Sequence, residues 1–248
     1  MDGLFALTTA DGRSDDRRKG LQSVLDRPAS EEKVHQVFEL TPTSWLMEVE
    51  PLAIRGSRLS LSRGRLRDSA DSDRPITLEL LTVIELGDGD LMRDVVNFDP
   101  DDIDAAVEEL DARYLAGEAA AYAHTWSLVA GAYAALNRCE VPATTPDWAN
   151  IDHRRGTGFA PGEAIPRVRS AWDVAPDINI YIVAVHRLST FGAVLTYAAY
   201  GTSGEGFDAE WREVHLVTFE GDVINRLEFF EEADLDAALA RFDELERD

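Results

Sequence analysis

The feature that most constrains this chain is a resemblance to itself at a fixed offset of 132 residues. The offset superposes Gly89-Asp90 on Gly221-Asp222, Asp102-Ile103-Asp104-Ala105-Ala106 on Asp234-Leu235-Asp236-Ala237-Ala238, and Asp111 on Asp243. Upstream it places Arg55 on Arg187 and Ser57 on Ser189. Two acidic helices can match by chance, but the order strand, turn, strand, helix agrees on both sides, so the chain reads as two related units. Its 248 residues accommodate two units of about 120 residues each, within the usual size of a single core.

Each unit reads as α+β. In the second, 178–187 and 192–200 are rich in β-branched and aromatic residues, and so is 211–219 beyond the loop at 201–206. Glu220-Gly221-Asp222 signals a hairpin, 223–230 a fourth strand, and Leu235, Leu239 and Phe242 the apolar stripe of a closing helix. The first unit ends in the same way. Gly87-Asp88-Gly89-Asp90 turns the chain, and Asp99 with Pro100 predicts a helix start that buries Ile103, Val107, Leu110 and Tyr114.

Ahead of the second set of strands, Tyr122, Trp126, Val129, Tyr133 and Leu136 form one helical face within 118–136. A short strand at 148–155 and a helix at 162–172 follow, with Pro166 tolerable near the first turn. The expected plan is helices packed on one side of a curved antiparallel sheet.

The first copy is shorter. The offset puts Met1 opposite Tyr133, so the long helix of the second copy has no counterpart, and 11–33 is charged and poor in apolar residues. The expected organisation is therefore a linker or loosely ordered segment at 1–33, an incomplete unit at 34–115 and a complete unit at 116–248.

Composition excludes several classes of function. With 47 acidic residues against 24 basic ones the formal charge is −23, and the only lysines are Lys19 and Lys33. Phosphate-rich partners need a concentrated positive face, so nucleic acid is not expected as a partner, and neither is an anionic membrane. The single cysteine, Cys139, forms no intrachain disulfide and supplies no thiolate cage. No His-x-His or His/Glu spacing gathers three ligands, and no Gly-rich phosphate loop precedes a helix, so neither a metal nor a nucleotide cofactor is expected. Without a signal-peptide core at 1–26 or a span of about 20 apolar residues, the chain is expected to remain in the cytoplasm.

The stretch Thr145-Pro146-Asp147-Trp148-Ala149-Asn150-Ile151-Asp152-His153-Arg154-Arg155-Gly156 resembles SnoaL-like domains of the nuclear transport factor 2-like superfamily. So do Gly206-Phe207-Asp208-Ala209-Glu210-Trp211-Arg212-Glu213 and the closing segment from Glu232-Ala233-Asp234 to Asp243-Glu244-Leu245. The likeness spans most of 118–246; in 46–115 it rests largely on the repeat. It implies a cone, a bent sheet wrapped around helices with an apolar cavity at one end. In this superfamily the cavity hosts cyclisation, isomerisation, epoxide hydrolysis, dehydration or binding alone, so the fold leaves the function open. Tandem copies are also similar to the C-terminal parts of large actinobacterial regulatory proteins.

Strand alternation decides which side chains can share such a cavity. Asp152 and His153 are neighbours and point apart, while Asp152 shares a face with Trp148, Asn150 and Arg154. The resemblance implies that a carboxylate on this first strand sits where steroid isomerases of the superfamily keep a general base. Asp152 is therefore a candidate catalytic base, and an ion pair with Arg154 or Arg187 is the plain alternative.

On the third long strand Trp211, Glu213, His215, Val217 and Phe219 share one face and Arg212, Val214, Leu216 and Thr218 the other. The cavity face is left open, with His215 the titratable candidate if the first face lines it and His186 and Glu228 equally ambiguous. The expected catalytic set is Asp152, His215 and Tyr133. The expected ligand-binding set is Trp126, Tyr133, Trp148, Asp152, Tyr197, Trp211 and His215, mostly apolar walls with a few polar groups.

These residues give two readings of function. The first is a non-catalytic module that binds a small apolar molecule or a partner domain. The second is a cofactor-free isomerase, polyketide cyclase or hydrolase with Asp152 as general base. Pairing through sheet faces, as an internal pseudo-dimer or a homodimer, is expected from Val214 and Leu216, which are apolar on a strand whose neighbours carry charge.

Overall fold

A computed structural model of the chain describes residues 6–40, 45–68, 77–155, 158, 160, 162–175, 178–202 and 208–247. It divides into two compact units, Met1–Ala116 and Gly117–Asp248.

The first unit contains β1 (Thr8–Asp16), β2 (Ser23–Asp26), α1 (Arg27–Leu40), β3 (Trp45–Arg55), β4 (Leu59–Asp68), β5 (Thr77–Leu86), β6 (Met92–Phe98) and α2 (Ile103–Ala116). Its strands pair in the order β2-β1-β6-β5-β4-β3, antiparallel except for the parallel contact between β1 and β6. Helix α2 packs on β4 and β5, where Leu59, Leu61, Leu81 and Val83 meet Ala106, Leu110 and Tyr114 to form the core.

Two expectations for this unit need correction. Within the segment 1–33 expected to be a linker, residues 8–33 are not one: β1 joins the sheet edge alongside β6, β2 pairs with β1, and α1 begins at Arg27. The charges that suggested a linker fall largely on exposed or half-buried positions and on mutual ion pairs, so strand formation there needed no long apolar run. Asp99 does not cap α2 either. Its carboxylate accepts the backbone N–H of Lys19 at 3.0 Å, and the helix begins at Ile103.

The second unit contains α3 (Ala123–Asn137), β7 (Thr144–Asp152), α4 (Ala164–Val174), β8 (Asn179–Leu188), β9 (Gly192–Thr202), β10 (Asp208–Glu220), β11 (Val223–Phe230) and α5 (Leu235–Leu245). The strand order is β8-β9-β10-β11-β7, with only the β11–β7 contact parallel. Gly221 turns the β10–β11 hairpin in the left-handed region at φ 59°, where a side chain would be strained. Gly192 opens β9 so close to β10 that a Cβ would run into the Val217 carbonyl.

The α+β class expected for both units is the one observed, but in the second unit the helices do not lie on one side: α5 covers one face of the sheet and α3 and α4 the other. Every element of the second unit except α3 has a counterpart in the first, in the same order. The long helix missing from the first copy is thus missing among its described residues as well. Val214 and Leu216, offered above as a surface for sheet pairing, are fully buried under α5 with Val194, Phe230, Ala238 and Phe242. Their apolar character serves the core of their own unit. Among the described residues no helix is long and apolar enough to cross a membrane.

Candidate functional site

The second unit encloses a cavity of about 430 Å³ between α3, α4 and the sheet face opposite α5. Helix α4 turns one stripe toward it, Ala164, Ile165, Val168, Ala171 and Trp172, spaced at the three-to-four-residue repeat of a helix. From β10 the inward set is Trp211, Glu213, His215 and Val217, which settles which face of that strand lines the cavity. Trp148, Tyr197 and Phe229 come from β7, β9 and β11, and Tyr133 from α3.

Most of the polar groups collect in two adjacent hydrogen-bonded sets, while Thr144 and Arg167 line the cavity apart from them. Tyr133 Oη lies 2.6 Å from His215 Nδ1. The Tyr197 hydroxyl donates to Glu213 Oε2 at 3.0 Å, and Arg154 Nη1 donates to Glu213 Oε1. Arg154 is held in turn by Asp152. Oδ1 accepts the Arg154 backbone N–H at 3.0 Å and Nε at 2.9 Å, and Oδ2 accepts Nη2 at 2.6 Å. The guanidinium also lies over the Phe229 ring, 5.6 Å from its centroid.

Burial sets the charge states. Taken out of water and next to the Glu213 charge, the Tyr133 phenol is pushed far above its ordinary value and stays protonated. Desolvation pushes His215 down, although Glu213 partly opposes it, so the ring is neutral. Burial alone would raise Glu213, but the contacts from His215, Arg154 and Tyr197 together hold it below the ordinary carboxylate range. The Glu213 carboxylate beside Nε2 favours the ring proton of His215 on that nitrogen, which leaves Nδ1 to accept the Tyr133 O–H. Nε2 is buried, lies 3.6 Å from Glu213 Oε2 and has no hydrogen-bond partner among the described residues.

Of the residues expected from the sequence, Tyr133, Trp148, Tyr197, Trp211 and His215 are brought together around this cavity, and Trp126 and Asp152 are not. Trp126 is 1% exposed and packs in the core; it shares a helical face with Tyr133 but sits two turns, about 10 Å, nearer the start of α3, beyond the residues that line the cavity. Asp152 is fully buried as the partner of Arg154, which is the ion-pair alternative; Arg187 pairs elsewhere, with Asp243. His153 does point away from Asp152, bonding to Glu228 at 2.7 Å and stacking on Phe230. His186 bonds to Thr196 outside the cluster.

The central acid, Glu213, stands in the sequence between Trp211 and His215 on a shared strand face, but a lone glutamate there carries no local sign of its partners Arg154 and Tyr197. Phe229 stands opposite His215 only through the β10–β11 register. Trp172 was legible in the α4 stripe.

No protein-family model and no curated protein matches the sequence. Among solved structures the chain is similar to the pinacolase BvnE of Penicillium brevicompactum, with TM-score 0.39, 14% identity, and 50% of this chain and 97% of that one covered. It is also similar to a SnoaL-like polyketide cyclase candidate from Jannaschia sp. CCS1, with TM-score 0.37, 14% identity and coverages of 48% and 92%. A nuclear transport factor 2-like protein of unknown function from Burkholderia pseudomallei gives TM-score 0.36, 20% identity and coverages of 46% and 96%.

Proposed function

We propose that residues 117–248 form a binding module for a small, largely apolar molecule carrying one polar group. The observation that carries this reading is the cavity itself. Its volume lies within the usual range for small-molecule sites, its walls include Trp148, Trp172, Trp211 and Phe229, and most of its polar groups stand together around Glu213. Ring-bearing ligands suit such walls, since aromatic pairs gain beyond the area they bury.

A panel of ring compounds tested for thermal stabilisation of the full chain checks the reading. A ligand at a hundred times its Kd adds about 2.7 kcal/mol to the stability of the folded state. A Trp172→Ala variant should lose that gain while still melting cooperatively. Stabilisation that is identical in the variant would place the ligand elsewhere and overturn the reading.

A second reading, cofactor-free proton transfer, keeps a weaker basis. Asp152 is committed to Arg154 through both oxygens, so its use as general base is not supported. His215 could take a proton from a ligand at Nε2 only in its other tautomer, with Nδ1–H donating to Tyr133 Oη. Loss of turnover in a His215→Gln variant that still binds ligand would support this reading, and unchanged turnover would end it.

A further inference from the structure

We propose that the ligand is a neutral ring compound bearing a hydroxyl, phenolic or alcoholic, which bridges His215 Nε2 and Glu213 Oε2. The inference rests on the binding reading and names its ligand class.

Two opposite hydrogen-bonding needs meet at one place. His215 Nε2 carries a proton whose nearest acceptor, Glu213 Oε2, lies beyond a good hydrogen bond. Glu213 is an ionised acceptor whose Oε2 already takes the Tyr197 hydroxyl and retains lone-pair capacity. The two atoms are 3.6 Å apart, too far for a good bond to each other and close enough for one small polar group to touch both. A hydroxyl oxygen accepts from the first and donates to the second, so it satisfies both at once. A ketone or ether oxygen accepts from His215 but offers Glu213 nothing. An amine offers Glu213 a proton but serves His215 poorly.

Charge narrows the class further. Asp152 and Glu213 are two carboxylates sharing the guanidinium of Arg154, and His215 is neutral, so this cluster carries a net negative charge, the cavity's other guanidinium, Arg167, coming from α4. A ligand carboxylate or phenolate brought to the same point meets that charge in a desolvated setting, where like charges repel strongly. Leaving a buried donor or acceptor unmatched also costs free energy, which sets the hydroxyl apart from its methyl ether.

The test uses one flat skeleton with four substituents: pyrene, hydroxypyrene, methoxypyrene and pyrene carboxylate. Each is titrated into the full chain, with affinity read by calorimetry. The expected result is hydroxypyrene binding at least tenfold more tightly than either methoxypyrene or pyrene carboxylate. In Glu213→Gln, which removes the charge and keeps the shape, the carboxylate should gain at least tenfold relative to the hydroxyl compound. In His215→Phe the advantage of hydroxyl over ether should fall to within threefold.

If the hydroxyl and ether compounds bind equally to the wild type, the inference is overturned while the pocket reading stands. If none of the four binds, both are overturned. Circular dichroism of each variant confirms the fold. Should Glu213→Gln not fold, pyrene carboxylate binding the wild type as tightly as hydroxypyrene at pH 7 overturns the inference.

Discussion

Arg55 donates from Nε to the Asp111 carboxylate at 2.8 Å, and its repeat mates Arg187 and Asp243 make the same pair at 3.2 Å. The two copies kept the contact and changed its surroundings. The Arg55 side chain is 1% exposed, whereas Arg187 and Asp243 are about half exposed. Removing one partner of a buried pair strands the other, so Arg55→Ala is expected to cost about 3 kcal/mol. Arg187→Ala is expected to cost less than about 1 kcal/mol, because water and salt screen an exposed pair. Urea unfolding of the two variants measures both, and equal losses would contradict the ranking.

Asp152 is expected to behave as a clamp. Asp152→Asn keeps one acceptor oxygen for Arg154 and loses the charge and the second bond, a loss of about 2 kcal/mol in stability. Ligand affinity should change less than tenfold, since the side chain does not line the cavity. A stable variant that no longer binds would return Asp152 to the binding surface.

Acid should weaken the fold in two steps. Burial holds His215 below its ordinary value, so the unfolded chain takes up a proton near pH 6.5 (about the free value) before the folded one does. The stability present above that pH is therefore lost as pH falls through it toward the folded value. His186, lowered by burial too, has the same sign. Glu213, held low, adds a further loss starting at the ordinary glutamate value of about 4.3 and growing as pH falls toward its folded value. The urea midpoint should fall between pH 7 and pH 5, and less steeply in His215→Gln. Identical slopes would mean that His215 titrates normally.

The first unit offers a test of the repeat. Val83 pairs with Val96 and Leu216 with Glu228, and the mated positions on β6 and β11 place Leu80 at the register of Glu213. Arg154 Nη1 has Glu213, whereas Arg18 Nη1 is buried with no partner among the described residues. Leu80→Glu should supply one. A double-mutant cycle with Arg18→Leu is expected to show a coupling of about 1 kcal/mol, and none would mean the two side chains do not meet.

Much of this was legible in the sequence where a period or an offset carried it. The strands of the second unit, the α5 stripe and the shared strand face of Trp211, Glu213 and His215 follow from periodicity alone, whereas the choice of that face as the inward one does not. Asp16-Arg17-Arg18 escaped notice because it matches Asp152-His153-Arg154 at an offset of 136, while Asn97 and Phe229, which pair with Asp16 and Asp152, stand 132 apart. A gain of four residues between those segments hid the first strand behind its charges. The burial of Trp126 and the commitment of Asp152 to Arg154 depend on how helices and strand ends pack, which no local pattern encodes.

The two halves of the site differ in the length of chain each must close. The Asp152–Arg154 clamp forms within three consecutive residues and asks for very little loop-closure entropy, whereas the Tyr133–His215 contact joins residues 82 positions apart. A chain emerging from the unfolded state can therefore make the clamp locally and early. The ring of His215 acquires its hydrogen-bonding partner only once α3 has docked on the sheet. Any kinetic intermediate that lacks α3 would hold Arg154 in place with His215 still free to titrate as an ordinary histidine.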